Sequence, residues 1–305
     1  MLERAVELAE RGRGTTHPNP VVGAVVARGD EVVGEGWHER KGGPHAEIVA
    51  LEAAGEAARG ATLYVTLEPC DHQGTTPPCV DAILAAGIAR VVVGAKDPRR
   101  EGIARLREAG VEVELVDLWE ARQQNEAWLT WARLGRPFVT YKAAVTLDGR
   151  MAVPGERWVS GEESRRLVHE LRAASDAVGV GMGTVRADDP RLDARDVPVL
   201  RQPRRLVFGS GPLAEGSELE LREGPLEDEL QRLGDDGVQS LLLEGGPTIG
   251  AAFFEADLVD KLLLFVAPML AGTGPAFTGP PLKLTRQSAR QIGGDVLLSA
   301  YVNLI

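Results

Sequence analysis

The sequence has few cysteines, few aromatic residues and no long apolar run. Its 305 residues include two cysteines, which excludes a framework of several disulfides, and aromatic residues make up 5% of the chain. The longest apolar runs, such as Leu262–Leu270, fall well short of the roughly 20 residues that span a membrane. Residues 1–14 carry charges throughout and lack the apolar core of a signal peptide. We therefore expect a cytoplasmic protein.

The balance of charge is acidic. The formal net charge is -11, and both halves of the chain, divided at Arg136, have more acidic than basic residues. A protein that binds DNA or RNA usually presents a basic surface to the phosphate backbone. The composition therefore favours a small-molecule partner over a nucleic acid, while a local basic pocket for one phosphate remains compatible with it.

Length and pattern predict an α/β protein of two domains, because single hydrophobic cores rarely grow beyond about 250–300 residues. We place the first domain at residues 1–135 and the second at residues 136–305, with the helical segment Leu118–Gly135 as the connector. Strands alternate with helices in both, which predicts mainly parallel sheets covered on both faces. The clearest predicted elements of the first domain are the strands Val21–Ala27, Glu31–His38 and Ala61–Thr66 and the helices His45–Ala58 and Cys79–Ala86.

Two short stretches of the first domain carry the residues typical of metal chemistry. Pro44–Glu47 reads PHAE, and Thr66–Cys79 reads TLEPCDHQGTTPPC and holds both cysteines. His45, Cys70 and Cys79 are zinc-type ligands in the number that a catalytic site takes before water fills the fourth position. Glu47 is left to move protons beside that water. The pattern is typical of zinc-dependent nucleobase deaminases, although the cysteines are further apart than in the usual Cys-x-x-Cys.

Other interpretations of the two cysteines are open at this point. Cysteines are often small buried hydrophobes, and in an exported protein Cys70 and Cys79 could form a disulfide. Each of them follows a proline, however, and Cys79 opens a predicted helix whose N-terminal dipole favours a thiolate. We favour the zinc site.

Glycine-rich turns follow two predicted strands of the second domain. Gly245-Gly246 follows the strand Ser240–Leu243, and Gly181-Met182-Gly183-Thr184 follows the strand Ala177–Val180. Such turns let the backbone approach a phosphate at a helix N-terminus, although many are plain turns. Neither is the Gly-x-Gly-x-x-Gly of a Rossmann domain. These residues indicate an α/β domain compatible with a phosphorylated ligand.

Longer stretches of the chain resemble the RibD family of bifunctional deaminase/reductases in riboflavin biosynthesis. The matching stretches extend nearly from end to end, in the same order: Thr15–Val26, Pro44–Glu47, Thr66–Cys79, Arg136–Ala152, Arg157–Arg165, Asp176–Arg195 and Leu241–Pro268. The resemblance implies a cytidine-deaminase-like α/β/α sandwich followed by a dihydrofolate-reductase-like α/β domain. It also implies zinc-dependent hydrolytic deamination of 2,5-diamino-6-ribosylamino-4(3H)-pyrimidinone 5′-phosphate, then NADPH-dependent reduction of the ribosyl side chain to ribityl.

The resemblance assigns roles to individual residues. It places zinc on His45, Cys70 and Cys79 and proton transfer on Glu47. Its substrate-binding set is Asn19, His38 and Asp97 in the deaminase domain and Lys142, Trp158, Arg172, Asp189, Leu192, Arg195 and Glu244 in the reductase domain. Its cofactor-binding set for NADPH is Thr146, Gly181, Thr184, Gly245 and Gly246. It further implies a homo-oligomer, expected to be a dimer.

The chain departs from the family pattern at three places. Thr75 stands where the family often has Lys or Arg, and Arg99-Arg100-Glu101 replaces a longer glycine-bearing loop after Pro98. Gly209 stands where an Asp commonly ends the preceding strand. Arg99 or Arg100 is a candidate replacement for the cation missing at position 75.

Two further hypotheses are open. One keeps the fold but leaves the deaminase site idle, so that only the reductase is active. The other is an RNA-editing zinc deaminase with a C-terminal binding module, which the acidic composition and the lack of aromatic-basic clusters disfavour. A purely structural role does not account for Glu47 beside three zinc-type ligands.

Overall fold

The computed structural model describes residues 1–73 and 77–304. The chain divides into two compact units, Met1–Leu134 and Gly135–Leu304. Both are mixed α/β structures, as predicted. None of the helices in the described ranges combines the length and the apolar character that crossing a membrane requires.

The first unit is a five-stranded sheet between two layers of helices. Its strands are β1 (Gly23–Arg28), β2 (Glu31–Trp37), β3 (Thr62–Val65), β4 (Arg90–Val93) and β5 (Glu112–Leu115). Its helices are α1 (Leu2–Glu10), α2 (Ala46–Ala54), α3 (Cys79–Ala86), α4 (Gly102–Glu108), α5 (Trp119–Gln124) and α6 (Glu126–Leu134), and a 3₁₀ turn, Gly55–Ala58, follows α2.

The order of strands in this sheet is β2-β1-β3-β4-β5. β1 pairs with β2 and β3 in antiparallel fashion, whereas β3, β4 and β5 are parallel. The expectation of a mainly parallel sheet therefore holds for only half of it, because the β1–β2 hairpin reverses the chain before the first helix crossover.

Alternating side chains of β1 explain the two helical layers. Ala24 and Val26 pack in one core with Ala50 of α2, whereas Val25 packs on the other face with Leu8 of α1. The predicted connector belongs to this second face, since Trp128 of α6 packs with residues that follow β3 and β4. It is therefore part of the first unit and not a separate link.

Glycines let α2 lie directly on β2. A Cβ atom at Gly34 would collide with the Ala50 carbonyl oxygen, and one at Gly36 would meet the carbonyl oxygen of Ala46 at 2.5 Å. This close approach fixes the start of α2, and with it His45 and Glu47, against the sheet.

The second unit is an eight-stranded sheet with helices on both faces. Its strands are β6 (Phe138–Thr146), β7 (Ala177–Gly181), β8 (Arg204–Phe208), β9 (Glu220–Arg222), β10 (Ser240–Leu243), β11 (Lys261–Ala267), β12 (Thr285–Ile292) and β13 (Asp295–Tyr301). Its helices are α7 (Glu162–Ala174), α8 (Met182–Asp188), α9 (Leu226–Asp235) and α10 (Pro247–Glu255).

The order of strands in this sheet is β12-β13-β11-β6-β10-β7-β8-β9. Pairing is parallel from β11 to β9 and antiparallel at the β11–β13–β12 edge. Here the predicted mainly parallel sheet is confirmed. Tyr141 of β6 packs with Phe253 of α10 on one face, and Ala144 packs near Val168 of α7 on the other.

Candidate active sites

Three metal-type ligands of the first unit converge between β3 and the starts of two helices. His45 caps the N-terminus of α2, Cys79 is the first residue of α3, and Cys70 lies in the segment after β3. Their ligand atoms all lie within 4.8 Å of one another. His45 Nδ1 lies 3.1 Å from Cys79 Sγ and 3.5 Å from Cys70 Sγ. Both cysteines are free, so the disulfide interpretation is wrong.

The surroundings of Cys70 favour its thiolate. The neighbouring Cys79 thiol, the His45 ring and the Cys79 backbone N–H, which donates to Cys70 Sγ at 3.3 Å, lower the pKa of Cys70 to about 4. Thiolate sulfur and a neutral imidazole are the ligands that zinc prefers. One nitrogen and two sulfur donors at this spacing therefore fit a zinc ion that keeps an open fourth position.

Glu47 lies in the first turn of α2, two residues after His45, and is 3% exposed. Burial raises the pKa of Glu47 to about 6. It lines the same cavity as His45 and Cys70. A carboxylate with a pKa near neutrality can both accept and return a proton, which is the property of a general acid and base.

A cavity of about 310 Å³ brings the three predicted deaminase substrate contacts together with the metal-type ligands. The His38 Nδ1–H donates to the Pro44 carbonyl oxygen at 2.9 Å, which leaves Nε2 to accept from Asn19 Nδ2 at 3.3 Å. Burial lowers the pKa of His38, which favours this neutral ring. Asn19 and His38 thus form a polar part of the cavity wall.

Asp97 lies on the loop after β4 and is held there by Glu68. Buried Glu68 accepts hydrogen bonds from the backbone N–H of Asp97 at 3.3 Å and of Ile103 at 2.8 Å. Burial raises the pKa values of both carboxyl groups. Glu68 belongs to the Glu-Pro-Cys turn, but its role depends on a loop some thirty residues away and was not predicted.

Two tryptophans and two arginines complete the wall of this cavity. Trp128 and Trp131 of α6 line it together with Arg99 and Arg100. The tryptophans were predicted only as part of a connector, although their spacing of three residues places them on one helical face. Thr75, the position of the missing cation, lies outside the described residues.

The second unit contains a cavity of about 590 Å³ at the carboxyl end of its parallel strands. Five predicted substrate residues line it: Lys142, Trp158, Arg172, Arg195 and Glu244. Arg165 and His169 of α7 line it as well and were not predicted. They share one face of α7 with Arg172 at spacings of four and three residues, so helical periodicity could have found them.

Glu244 and Arg172 form a buried ion pair in this cavity. Arg172 Nε donates to Glu244 Oε1 at 2.6 Å and Nη2 donates to Oε2 at 3.0 Å. Burial alone would raise the pKa of Glu244, but Arg172 and Lys142 hold it below its usual range. Lys142 Nζ lies 4.0 Å from the same carboxylate, and burial lowers the pKa of Lys142.

Three predicted substrate residues in the segment 189–195 lie outside this ion-pair cluster, and Arg195 is the one of them that lines the cavity. Arg195 is 43% exposed and pairs with Asp193 at 2.5 Å. Asp189 is exposed at the end of α8, and Leu192 is 2% exposed in a core with Val178 and Val180. The structure does not bring the side chains of Asp189 and Leu192 into the cavity, because the segment that carries Leu192 packs its side chain into the hydrophobic core.

The five predicted cofactor residues lie at the carboxyl ends of three adjacent strands, β6, β10 and β7. A Cβ atom at Gly245 would overlap the Ile249 side chain, and one at Gly181 would lie 3.1 Å from it, whereas a Cβ at Gly246 would meet no neighbour within 4 Å. Gly246 caps α10, whose N-terminal N–H groups can receive a phosphate. Thr146 Oγ1 donates to Asp148 at 2.5 Å, and Thr184 lies in the first turn of α8. This edge can therefore accommodate a ligand phosphate.

Comparisons with known proteins match both halves of the chain. Residues 1–95 match the cytidine and deoxycytidylate deaminase zinc-binding region, and residues 137–298 match the RibD C-terminal domain. The fold is therefore a deaminase-like domain followed by a reductase-like domain, as predicted. The matching family region is zinc-binding, and the structure has a candidate metal site at His45, Cys70 and Cys79, so both observations support zinc.

Individual relatives match along nearly the whole length. The chain is 38% identical to riboflavin biosynthesis protein RibD of Aquifex aeolicus, over 97% of this chain and 96% of that protein. It is 40% identical to RibD of Escherichia coli, over 89% and 88%. Among solved structures, Acinetobacter baumannii RibD is similar with a TM-score of 0.86 at 34% identity, covering 99% of this chain and 98% of that one.

A second solved structure is a diaminohydroxyphosphoribosylaminopyrimidine deaminase/5-amino-6-(5-phosphoribosylamino)uracil reductase from Thermotoga maritima. It is similar with a TM-score of 0.83 at 34% identity, covering 99% of this chain and 97% of that chain. Because these relatives are more than 30% identical over most of their own length and of this chain, the chain belongs to the RibD family of riboflavin biosynthesis proteins.

Proposed function

We propose that this chain catalyses two successive steps of riboflavin biosynthesis. The first is hydrolytic deamination of 2,5-diamino-6-ribosylamino-4(3H)-pyrimidinone 5′-phosphate, and the second is reduction of the ribosyl side chain to give 5-amino-6-ribitylamino-uracil 5′-phosphate. Residues 1–135 would form the deaminase domain and residues 136–305 the reductase domain. The observation that carries the proposal is buried Glu47 in one cavity with His45 and Cys70, in a chain similar from end to end to RibD proteins.

In the deaminase step, His45, Cys70 and Cys79 would hold zinc, which when bound makes water acidic enough to act as a nucleophile near neutral pH. Glu47 accepts a proton from the attacking water and returns a proton to the leaving amino group. The C–N bond breaks and ammonia leaves, and a carbonyl takes its place as the second water proton passes to the neighbouring ring nitrogen. The raised pKa of Glu47 suits both transfers, since the carboxyl group is neither a very weak base nor a very weak acid at pH 7.

Asn19, His38 and Asp97 would orient the substrate in this step. The hydrogen bond to Pro44 fixes His38 as the tautomer with its proton on Nδ1. Asn19 is oriented because its Nδ2 donates to His38 Nε2. Asp97 is held in place by Glu68. These contacts act by positioning the pyrimidine against Glu47, because a displaced substrate loses most of the benefit of a fixed catalytic group.

In the reductase step, Thr146, Gly181, Thr184, Gly245 and Gly246 would hold NADPH, which when bound supplies a hydride. The cluster of Lys142, Arg172 and Glu244 would form the polar side of the substrate cavity, with Trp158 on its rim. Arg195 would bind the substrate phosphate, because its side chain is more exposed to solvent than those of Lys142 and Arg172. The resemblance also supports a homodimer, which light scattering of the purified protein tests. It supports a cytoplasmic location as well.

One experiment tests both steps. Purified protein is incubated with the diaminopyrimidine nucleotide, with and without NADPH, while ammonia release, NADPH oxidation and product masses are followed. We expect ammonia and the deaminated nucleotide without NADPH, and the ribityl product only with NADPH. If the deaminated nucleotide is supplied separately and NADPH is consumed, while the diamino compound releases no ammonia, the result would support the reductase-only alternative instead.

A further inference from the structure

Arg99 is held at the deaminase cavity by two aromatic rings. Its guanidinium carbon lies 5.1 Å from the centre of the Trp128 ring and 4.8 Å from that of Trp131. All three side chains line the cavity that contains His45 and Glu47. Stacking of this kind orients a guanidinium through its face and leaves the N–H groups at its edge available.

The hydrogen-bonding capacity of this guanidinium is not used within residues 1–73 and 77–304. No carboxylate there forms a hydrogen bond or ion pair with the Arg99 side chain, although its backbone N–H donates to Asp97 at 2.8 Å. Arg100 differs, because its Nε lies 3.7 Å from Asp97. Partial burial lowers the pKa of Arg99, whereas Arg172, which is bonded to Glu244, has a raised pKa.

We propose that Arg99 binds the 5′-phosphate of the deaminase substrate and makes this site selective for the phosphorylated nucleotide. Trp128 and Trp131 act as positioning residues that hold the guanidinium edge toward the cavity. An arginine edge suits a phosphate because it can donate two parallel hydrogen bonds. The inference rests on the proposed function, which requires a phosphorylated substrate in the cavity that Arg99 lines.

The test uses full-length protein with Arg99→Gln, Arg99→Lys and a matched control, Arg11→Gln. Arg11 also lies over a tryptophan, 4.9 Å from the Trp37 ring centre, but does not line the cavity. Ammonia release is measured with the phosphorylated substrate and with its dephosphorylated counterpart. Binding of ribose 5-phosphate is measured separately by calorimetry.

We expect Arg99→Gln to lower the ratio of kcat/KM for the phosphorylated over the dephosphorylated substrate by about ten- to a hundredfold. Arg99→Lys should give a ratio between those of the wild type and Arg99→Gln, since lysine keeps the charge but cannot donate two parallel hydrogen bonds. Arg11→Gln should keep the wild-type ratio. Zinc content equal to wild type shows that the variants are folded at this site.

Two outcomes overturn the inference. One is an unchanged selectivity ratio in Arg99→Gln, and the other is ribose 5-phosphate binding that weakens equally in Arg99→Gln and Arg11→Gln. If wild-type protein releases ammonia from neither compound, the proposed function fails instead. Ribose 5-phosphate binding still decides the role of Arg99 in that case, because it does not depend on turnover.

Discussion

The buried ion pair of Arg172 and Glu244 leads to a quantitative prediction for the second domain. The two side chains are 14% and 9% exposed and share two hydrogen bonds of 2.6 and 3.0 Å. Replacing Arg172 by alanine leaves the carboxylate buried, with Lys142 at 4.0 Å as its remaining ion-pair partner among the described residues. Removing one partner of a buried pair costs about 3–5 kcal/mol, and we expect the lower end because Lys142 offsets part of the charge.

Arg195→Ala is the matched control. Arg195 also pairs with a carboxylate, that of Asp193, but is 43% exposed, so its loss should cost about 0–1 kcal/mol. Urea and thermal unfolding of the full-length variants measure the difference. A change of 1 kcal/mol moves the midpoint of a domain of this size by about 2–4 °C, so Arg172→Ala should unfold some 6–12 °C lower.

The effect of Arg172→Ala should depend on pH. In the wild type the folded-state pKa of Glu244 is lowered, so the pair stabilises the fold above the unfolded carboxyl pKa and loses this contribution as the pH falls. Without Arg172, burial would raise the pKa of Glu244 instead. The penalty is then complete at pH 7 and shrinks as the pH falls toward the ordinary glutamate pKa of about 4.3. The two proteins should converge in stability on acidification.

A double variant separates charge from packing. Arg172→Met combined with Glu244→Gln removes the unpaired buried carboxylate while keeping side chains of similar length, and Lys142, whose pKa burial already lowers, can lose its proton there. It should recover most of the stability lost in Arg172→Ala. Equal losses in Arg172→Ala and Arg195→Ala, or a double variant no more stable than the single one, would refute the reasoning that Arg172 neutralises Glu244.

Three further predictions concern the deaminase site and the domain boundary. Glu47→Gln should keep zinc, measured by elemental analysis, but lose about 10²- to 10⁴-fold in ammonia release, and near-wild-type release would assign proton transfer to another group. Cys70→Ser or Cys79→Ser should lose zinc and deamination while reduction of the deaminated substrate persists, and zinc-free wild-type protein purified without chelators would contradict this. A fragment that begins near Arg133 should fold and reduce the deaminated substrate with NADPH, and an insoluble or inactive fragment would refute the independence of residues 136–305.

Local sequence signals were sufficient for the metal-type cluster. His45, Glu47 and Cys79 lie in the first turns of helices whose starts are marked by glycine and proline, and Cys70 follows a recognisable strand. Each of these positions depends on a few neighbouring residues. Trp128 reaches the same cavity from a helix about fifty residues further along the chain, and no local pattern shows which surface that helix covers.

Two elements of the second domain were missed for different reasons. The residues predicted as a turn at Gly181–Thr184 are instead the N-cap and the first turn of α8. Gly183 lies inside this helix, so the glycine does not end regular structure there. β12 is polar and almost entirely exposed, which gives it no alternation of apolar residues. It is a strand because it pairs with β13, and such tertiary pairing overrides weak intrinsic preference.

Both candidate sites use the same physical feature, the carboxyl end of parallel strands where helices begin. Helix N-termini favour negative charge, which suits the Cys70 thiolate that accepts from the first N–H of α3 and a cofactor phosphate at α10. Glu244 lies two residues before the cap of α10 and experiences the same field, yet its side chain is buried too deeply for a helix dipole alone to offset desolvation. Arg172, and to a smaller extent Lys142, supply the remaining compensation. A carboxylate can therefore stay ionised in the reductase cavity, whereas Glu47, which has no arginine partner among the described residues, keeps a pKa suited to proton transfer.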